Sequence, residues 1–311
     1  MAFAIGIDLG GTAIKGTAFR GSDPVARATT PTRAGEFLDD GATPAFAAGI
    51  KDLVAQLSGS DRPDAIGISA AGLASPDFST IASLPNKLPG IERFPFREYL
   101  QLAGSATRFA VLNDAHAALL GEVWQGAALG RSHVVMLTLG TGVGGAILSG
   151  GHILAGRIGR AGHLGHTSLA PDGPPSICGC PGSLEDAIGN QTVAARSGGR
   201  FATTAALIEA VDAGDPTATA VWKKSVRALG AALVGLINTL DPETVVLGGG
   251  IANARSQIER YLLPYLDAHE WRPGGHRVPI AFATLGDQAG TYGAVYQALR
   301  IADAIPGPRS P

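Results

Sequence analysis

Phe3-Ala-Ile-Gly-Ile-Asp8-Leu-Gly10-Gly11-Thr12 is an apolar β run ending on a carboxylate and a glycine turn, and Ala13 to Phe19 reads as its return strand. The segment is therefore a hairpin and not the strand-to-helix loop of a dinucleotide site. Val134-Val-Met-Leu-Thr138-Leu-Gly140-Thr141-Gly142-Val-Gly144-Gly145-Ala-Ile-Leu148 repeats the theme of strand, glycine turn, strand. Laid over one another, Asp8-Leu9-Gly10-Gly11 matches Thr138-Leu139-Gly140-Thr141. Two such hairpins about 130 residues apart predict two related halves, and strands alternating with helical patterns predict an α/β chain.

Between and beyond the hairpins the pattern is consistent. Thr43 to Leu57 has helical spacing (Phe46, Ile50, Leu53, Val54, Leu57), and Ala65-Ile-Gly-Ile-Ser69 reads as a buried strand. Leu84 to Phe96, rich in proline and polar residues, reads as a long surface loop. Arg108 to Leu112 is a short strand that delivers Asn113-Asp114 to the start of a helix over Ala115 to Trp124. Asp215-Pro216 starts a helix that runs to about Leu240, and Asp241-Pro242 stops it. Thr244-Val-Val-Leu-Gly248-Gly249-Gly250 is a third strand with a glycine turn, and the tail from Ile305 to Pro311 is expected to fray.

Composition narrows the function. The 311 residues allow two domains, and 45% hydrophobic against 16% charged residues excludes disorder. Twenty-four basic residues stand against 26 acidic ones, a net charge of −2 without a basic tract, so nucleic acid is not an expected partner. Two cysteines form no disulfide framework and suit a reducing cytoplasm. The first residues lack a leading positive charge and meet Asp8 too early for a secretory signal. No apolar run reaches the roughly 18 residues of a membrane span. The expectation is a soluble cytoplasmic protein with no membrane partner.

The 44 glycines exceed the usual share of roughly 7% and sit right after strand-like runs. No Gly-Lys dipeptide occurs, which excludes a P-loop. Gly140-Thr-Gly142-Val-Gly-Gly145 satisfies G-x-G-x-x-G, yet it runs into a strand and no acidic residue follows before Asp172. A cradle of backbone N–H groups for phosphate is the better reading, since glycine lets a polyanion come close. Three such loops, with Asp8 in the first, point to nucleotide binding. Asp8 suits an outer partner of Mg²⁺ on phosphates, with Lys15 as a helper or a plain structural lysine. Asp114 is the candidate base for a hydroxyl proton in phosphoryl transfer, against the plain alternative of a helix N-cap.

In this order and spacing the motifs resemble the ROK family of sugar kinases and related regulators, of the actin-like and hexokinase-like class. The carriers are Ile7-Asp8-Leu-Gly10-Gly11-Thr12, Asn113-Asp114-Ala-His-Ala-Ala-Leu-Leu-Gly121-Glu122, Leu139-Gly140-Thr141-Gly142-Val-Gly144-Gly145, Gly159-Arg-Ala-Gly162-His163-Leu-Gly165-His166, Cys178-Gly-Cys-Pro-Gly182-Ser-Leu-Glu185 and Leu247-Gly248-Gly249-Gly250. The resemblance implies two RNase H-like lobes around a central cleft. It divides the chain into an N-terminal α/β lobe over 1–115 and a larger lobe over 116–287, with a helix over about 288–304 packing back on the first. It implies ATP and Mg²⁺, a free sugar as acceptor, Asp114 as general base and a homodimer. Asp8, Gly10, Gly11, Thr12, Lys15, Gly140, Thr141 and Gly142 would then line the phosphates, with Gly248 and Gly249 near adenosine. Asn86, Asn113, Asp114, His163, His166 and Glu185 would hold sugar hydroxyls.

The sequence departs from the family pattern twice. His163 stands where the family's Glu-x-Gly-His has glutamate; imidazole has one acceptor at most, so a changed sugar preference is expected. Aligning Gly179, Gly182 and Glu185 on the zinc motif puts Ser176, Cys178 and Ser183 at its three cysteine positions. Serine is a poor Zn²⁺ ligand, so no structural zinc is expected.

The leading expectation is ATP-dependent phosphorylation of the 6-hydroxyl of a glucose-like hexose. The same mechanism on an N-acetylhexosamine (GlcNAc or ManNAc), fructose or a cyclitol stays open, as does polyphosphate as donor, although no basic run marks a polyanion track. A non-catalytic sugar sensor is the reading of another class. The family's regulators carry a helix-turn-helix ahead of the first hairpin, which here begins by Phe3.

Overall fold

The computed structural model describes residues 1–85, 87–102 and 107–301. Asn86 and the tail from Ile305 lie outside the described residues. The first elements are β1 (Phe3–Leu9), β2 (Ala13–Arg20), β3 (Asp23–Pro31), α1 (Ala45–Ser58), β4 (Ala65–Ala70), β5 (Leu73–Ala74), β6 (Ile81–Ser83), α2 (Phe96–Tyr99), β7 (Arg108–Asn113) and α3 (Asp114–Gln125). They are followed by β8 (Val134–Leu139), β9 (Val143–Ser149), β10 (His152–Ile153), α4 (Leu184–Ile188), α5 (Val193–Arg196), α6 (Thr204–Asp212) and α7 (Pro216–Leu240). The last are β11 (Thr244–Gly248), α8 (Arg255–His269), β12 (Ile280–Phe282) and α9 (Ala289–Arg300).

These elements form two compact units. One holds Met1–Leu129, Ala155–Ala161 and the residues from Asp287 on; the other holds Gly130–Leu154 and Gly162–Gly286. Their sheets have one plan. The first runs β3-β2-β1-β4-β7 and the second β10-β9-β8-β11-β12. In each, the leading three strands are antiparallel neighbours and the other two join in parallel. This is the RNase H-like order, present twice.

In the first unit, β1 turns Ile5, Ile7 and Leu9 into a core with Ile14, Phe46, Ile50 and Leu53. Alternation sends Gly6 to the other face of the sheet, where α9 packs. A Cβ on Gly6 would stand 2.2 Å from the Thr291 carbonyl oxygen, and one on Gly67 of β4 would stand 2.0 Å from that of Ala294. Only glycine allows helix and sheet backbones to approach this closely. The stretch from Leu84 to Phe96 departs from the surface loop read in the sequence. Leu88, Ile91 and Phe96 are buried, and Phe96 and Phe94 pack their rings against Phe46. Its apolar residues follow no regular period, so the pattern conceals a core contribution.

In the second unit, Val135, Leu137 and Leu139 of β8 share a core with Trp222, Val226, Leu229 and Leu233 of α7 and with Ile258 and Leu262 of α8. Helix α7 begins where Asp215 accepts from the Thr217 and Ala218 N–H groups, and ends at Asp241 in the left-handed region. Helix α1 begins at Ala45, behind Pro44, later than Thr43 as read from the sequence. Among the described residues, no helix is long and apolar enough to cross a membrane.

Candidate active site

In the first unit the functional side chains stand at the C-terminal ends of parallel strands. Asp8 lies near the end of β1, in register with Ser69 of β4 on one side and Lys15 of β2 on the other. The Ser69 hydroxyl donates to Asp8 Oδ1 at 2.9 Å. Burial pushes the Asp8 carboxyl above its usual value, and the charges of Asp114 and Asp287 add to this against the Ser69 hydrogen bond and the Lys15 charge. Lys15 itself donates to Asp287 Oδ2 at 2.8 Å. Asp287, just ahead of α9, has no motif signal in the sequence. The β1–β2 turn is closed by the Gly10 N–H on the Ala13 carbonyl at 3.1 Å, and braced behind by Thr32, whose hydroxyl donates to the Gly10 carbonyl at 2.7 Å. Gly11 and Thr12 are exposed at its tip.

Asn113 and Asp114 take separate roles. Asn113 is the N-cap of α3: its Oδ1 accepts from the Ala115 and His116 N–H groups, and its Nδ2 donates to the Gly72 carbonyl at 2.9 Å. Asn113 is 5% exposed. Asp114 is thus the first residue of the helix and not its cap, and it is exposed, with Oδ1 accepting from the Ala115 N–H at 2.9 Å. A carboxylate in the first turn is stabilised by the unpaired N–H groups of the helix end.

In the second unit the β8–β9 turn carries Gly140, Thr141 and Gly142. The Gly140 and Thr141 carbonyls accept from the Asn190 and Gln191 N–H groups, each at 2.9 Å. Glu185 of α4 closes on the same turn. Its Oε2 accepts from the Val143 N–H at 2.9 Å and its Oε1 from Gln191 Nε2 at 2.8 Å. A carboxylate offers about four lone-pair sites, so Glu185 keeps acceptor capacity for a ligand.

Beside the turn lies a cavity of about 700 Å³, lined among others by Gly140, Thr141, Asn190, Thr204, Glu209, Gly250 and Asn253. Gly250 joins it, whereas Gly248 and Gly249 are not among the lining residues. A Cβ on Gly248 would meet the Met136 side chain, and Gly249 lies against the Leu139 carbonyl. The Thr204 hydroxyl is buried here without a hydrogen-bond partner, an unmet polar group of the kind a ligand satisfies. Asn190, Thr204 and Asn253 belong to segments with no motif signal.

The loop after β10 brings His163 and His166 together, with ring planes 13° apart and centroids 6.5 Å apart. Cys178 Sγ lies 3.2 Å from His166 Nδ1, and Cys180 donates its S–H to the His166 carbonyl at 2.9 Å. Ser183 points elsewhere. It is buried and forms the N-cap of α4, with Oγ accepting from the Asp186 N–H. Among the described residues no group of three His, Cys, Asp or Glu side chains could hold a metal ion.

Against known proteins, the model of the ROK family matches residues 4–301. A glucokinase of Halalkalibacterium halodurans is 32% identical over 328 aligned positions, which cover 93% of this chain and 92% of that one. An N-acetylmannosamine kinase of Escherichia fergusonii is 33% identical over 234 positions, 74% of this chain and 77% of that one. The crystal structure of a ROK family glucokinase from Streptomyces griseus in complex with glucose and AMPPNP superposes with a TM-score of 0.73 at 26% identity, over 96% of this chain and all of that one.

Proposed function

The chain belongs to the ROK family and is an ATP-dependent sugar kinase, and from that premise we propose that it transfers the γ-phosphoryl group to the 6-hydroxyl of a glucose-like hexose with Asp114 as general base. The observation that carries this reading is the division of labour at the start of α3. Asn113 caps the helix, and Asp114 stands exposed in its first turn, where the helix end favours a carboxylate. Asp114 accepts the acceptor hydroxyl's proton as that oxygen forms its bond to the γ-phosphorus. The bond from phosphorus to the β,γ-bridging oxygen breaks, and ADP leaves.

The cavity beside Gly140 and Thr141 is the proposed nucleotide site, with the unpaired Thr204 hydroxyl as a group for the nucleotide to satisfy. Asp8, with Gly10, Gly11, Thr12 and Lys15, is assigned to the phosphates. Asp8 and Asp114 repel one another's charge, which suits them to a divalent cation between or beside them. Mg²⁺, when bound with ATP, neutralises phosphate charge at this point. In the second unit His163, His166 and Glu185 are assigned to sugar hydroxyls. We also assign no structural zinc to the loop over 176–185, because Ser183 is committed as a cap and Ser176 offers only a hydroxyl. The family reading extends to a cytoplasmic homodimer, in keeping with the free thiols Cys178 and Cys180.

One observation favours a second acceptor. His163 stands where the family pattern has a carboxylate that would accept hydrogen bonds from two hydroxyls, and an imidazole N–H suits an acetamido carbonyl, so an N-acetylhexosamine is the alternative.

The test is ADP release from ATP and Mg²⁺ across hexoses, N-acetylhexosamines and cyclitols. Asp114→Asn should lose about 10²–10⁴-fold in kcat while its sugar Kd changes little. Equal turnover in that variant would remove Asp114 from its role, and turnover on no acceptor would remove the kinase assignment.

A further inference from the structure

Around His166 a single loop supplies a chain of polar contacts. Ser176 Oγ lies 3.1 Å from Cys178 Sγ, and Cys178 Sγ lies 3.2 Å from His166 Nδ1. Backbone hydrogen bonds hold the loop in this form. The Ser176 N–H donates to the Cys180 carbonyl at 2.9 Å, the Gly179 N–H returns to the Ser176 carbonyl at 2.8 Å, and Pro175 bridges Pro181. Cys178 therefore sits near the tip of a small closed hairpin whose prolines restrict it further.

We propose that Cys178 is a positioning residue that fixes His166 as the Nε2–H tautomer, so that the imidazole presents a donor to the sugar. The proposal rests on the assignment of His166 to the sugar. A neutral imidazole has one N–H and one acceptor nitrogen, and the partner of one nitrogen decides the form of the other. A thiol is a weak donor through its S–H, and a weaker partner still as an acceptor when its sulfur already takes a hydrogen bond from a hydroxyl. With the Ser176 hydroxyl donating to that sulfur, the S–H is directed at Nδ1 and the ring proton is left on Nε2. The same ring is anchored from its backbone by the Cys180 S–H on the His166 carbonyl. Hydroxyl, thiol and imidazole then donate in one direction along the chain.

The consequence is a choice of substrate chemistry. A donor at Nε2 pairs with a sugar oxygen that accepts, which includes an acetamido carbonyl with no proton to offer. Glu185, with acceptor sites remaining, pairs with hydroxyls that donate. The second unit thus offers one donor and one acceptor of fixed identity.

Two readouts separate this proposal from the kinase assignment. The first needs no turnover: long-range ¹H–¹⁵N spectra of ¹⁵N-histidine-labelled protein, taken where the ring is neutral, report the His166 tautomer. The Nε2–H pattern is expected in the wild type and in Cys178→Ser, whose hydroxyl also donates, and a mixture of tautomers in Cys178→Ala. An Nδ1–H pattern in the wild type, or an unchanged pattern in Cys178→Ala, overturns the proposal. The second is kinetic. Cys178→Ala should raise the sugar KM about 3- to 10-fold, the ratio set by one neutral hydrogen bond, with little change in kcat or in the KM for ATP. Cys178→Ser should restore it, which a merely structural loss would not allow. The expected tautomers with an unmoved sugar KM would overturn the presentation to sugar and leave the thiol contact standing. Absence of turnover in the wild type would count against the kinase assignment alone.

Discussion

Gly142 and Glu185 occupy adjoining space: a Cβ on Gly142 would stand 2.2 Å from Glu185 Oε2 and 2.8 Å from Glu185 Cδ. The carboxylate reaches the Val143 N–H only because nothing projects from the preceding residue. The glycine in this turn therefore serves a neighbouring acid as well as any bound phosphate.

Gly142→Ala tests this. Overpacking of this kind costs about 1–3 kcal/mol, and here the side chain that yields is Glu185. A fall in melting temperature is expected together with a rise in sugar KM. A variant with a lower melting temperature and an unmoved sugar KM would separate Glu185 from the sugar.

Asp8 connects stability to pH. A carboxyl raised in the folded chain adds stability below its unfolded value and loses it as pH rises through its folded value. Asp8→Asn should therefore melt higher than the wild type at pH 8 without ligand, and the difference should close as pH falls toward the unfolded carboxyl's range. Turnover should fall about 10²-fold or more if Asp8 serves the transferring phosphate. Melting curves across pH, with and without ATP and Mg²⁺, check both parts. A wild type more stable than the variant at pH 8 would contradict the burial argument.

His163→Glu replaces an imidazole with a group able to accept from two hydroxyls. Glucose kcat/KM should rise about 10-fold, the scale of a hydrogen bond to a charged group. N-acetylhexosamine use should fall in parallel. Loss on all acceptors would show that the histidine supports the loop and does not set preference.

Metal analysis of purified protein should find well under one zinc per chain, and a chelator should leave the melting temperature unchanged. Stoichiometric zinc that resists mild chelation would overturn the assignment of a zinc-free loop over 176–185.

What could be read in the sequence follows from how local each signal is. The β1 and β8 hairpins are legible because alternation and a glycine turn lie within a dozen residues, and their repetition reveals the paired sheet plan. Asn113 and Asp114 are visible as a strand-to-helix junction, yet which one caps the helix depends on backbone placement. Thr204, Asn190 and Asn253 carry no motif and meet only when α6, the turn after α4 and the glycine turn after β11 are assembled. Gly250 lines the cavity, while Gly248 is still within the strand and Gly249 is pressed on Leu139. Leu88 and Ile91 escape notice because their burial follows no period. The pairing of Asp287 with Lys15 joins residues from distant parts of the chain and leaves no local trace.

The glycine-faced sheet of the first unit has a consequence for the order of events at the ribosome. Helix α9 fills the space above Gly6 and Gly67, and the whole second unit lies between those glycines and α9 in the chain. The strands of the first unit, although they precede the second unit in the chain, therefore cannot finish folding before it is made. At about 5–20 residues per second, the unclosed sheet waits roughly ten to thirty seconds for its last helix, while the second unit already has all its strands. Synthesis thus leaves one glycine-lined sheet face uncovered until α9 arrives, and a nascent chain stalled before α9 keeps that face open.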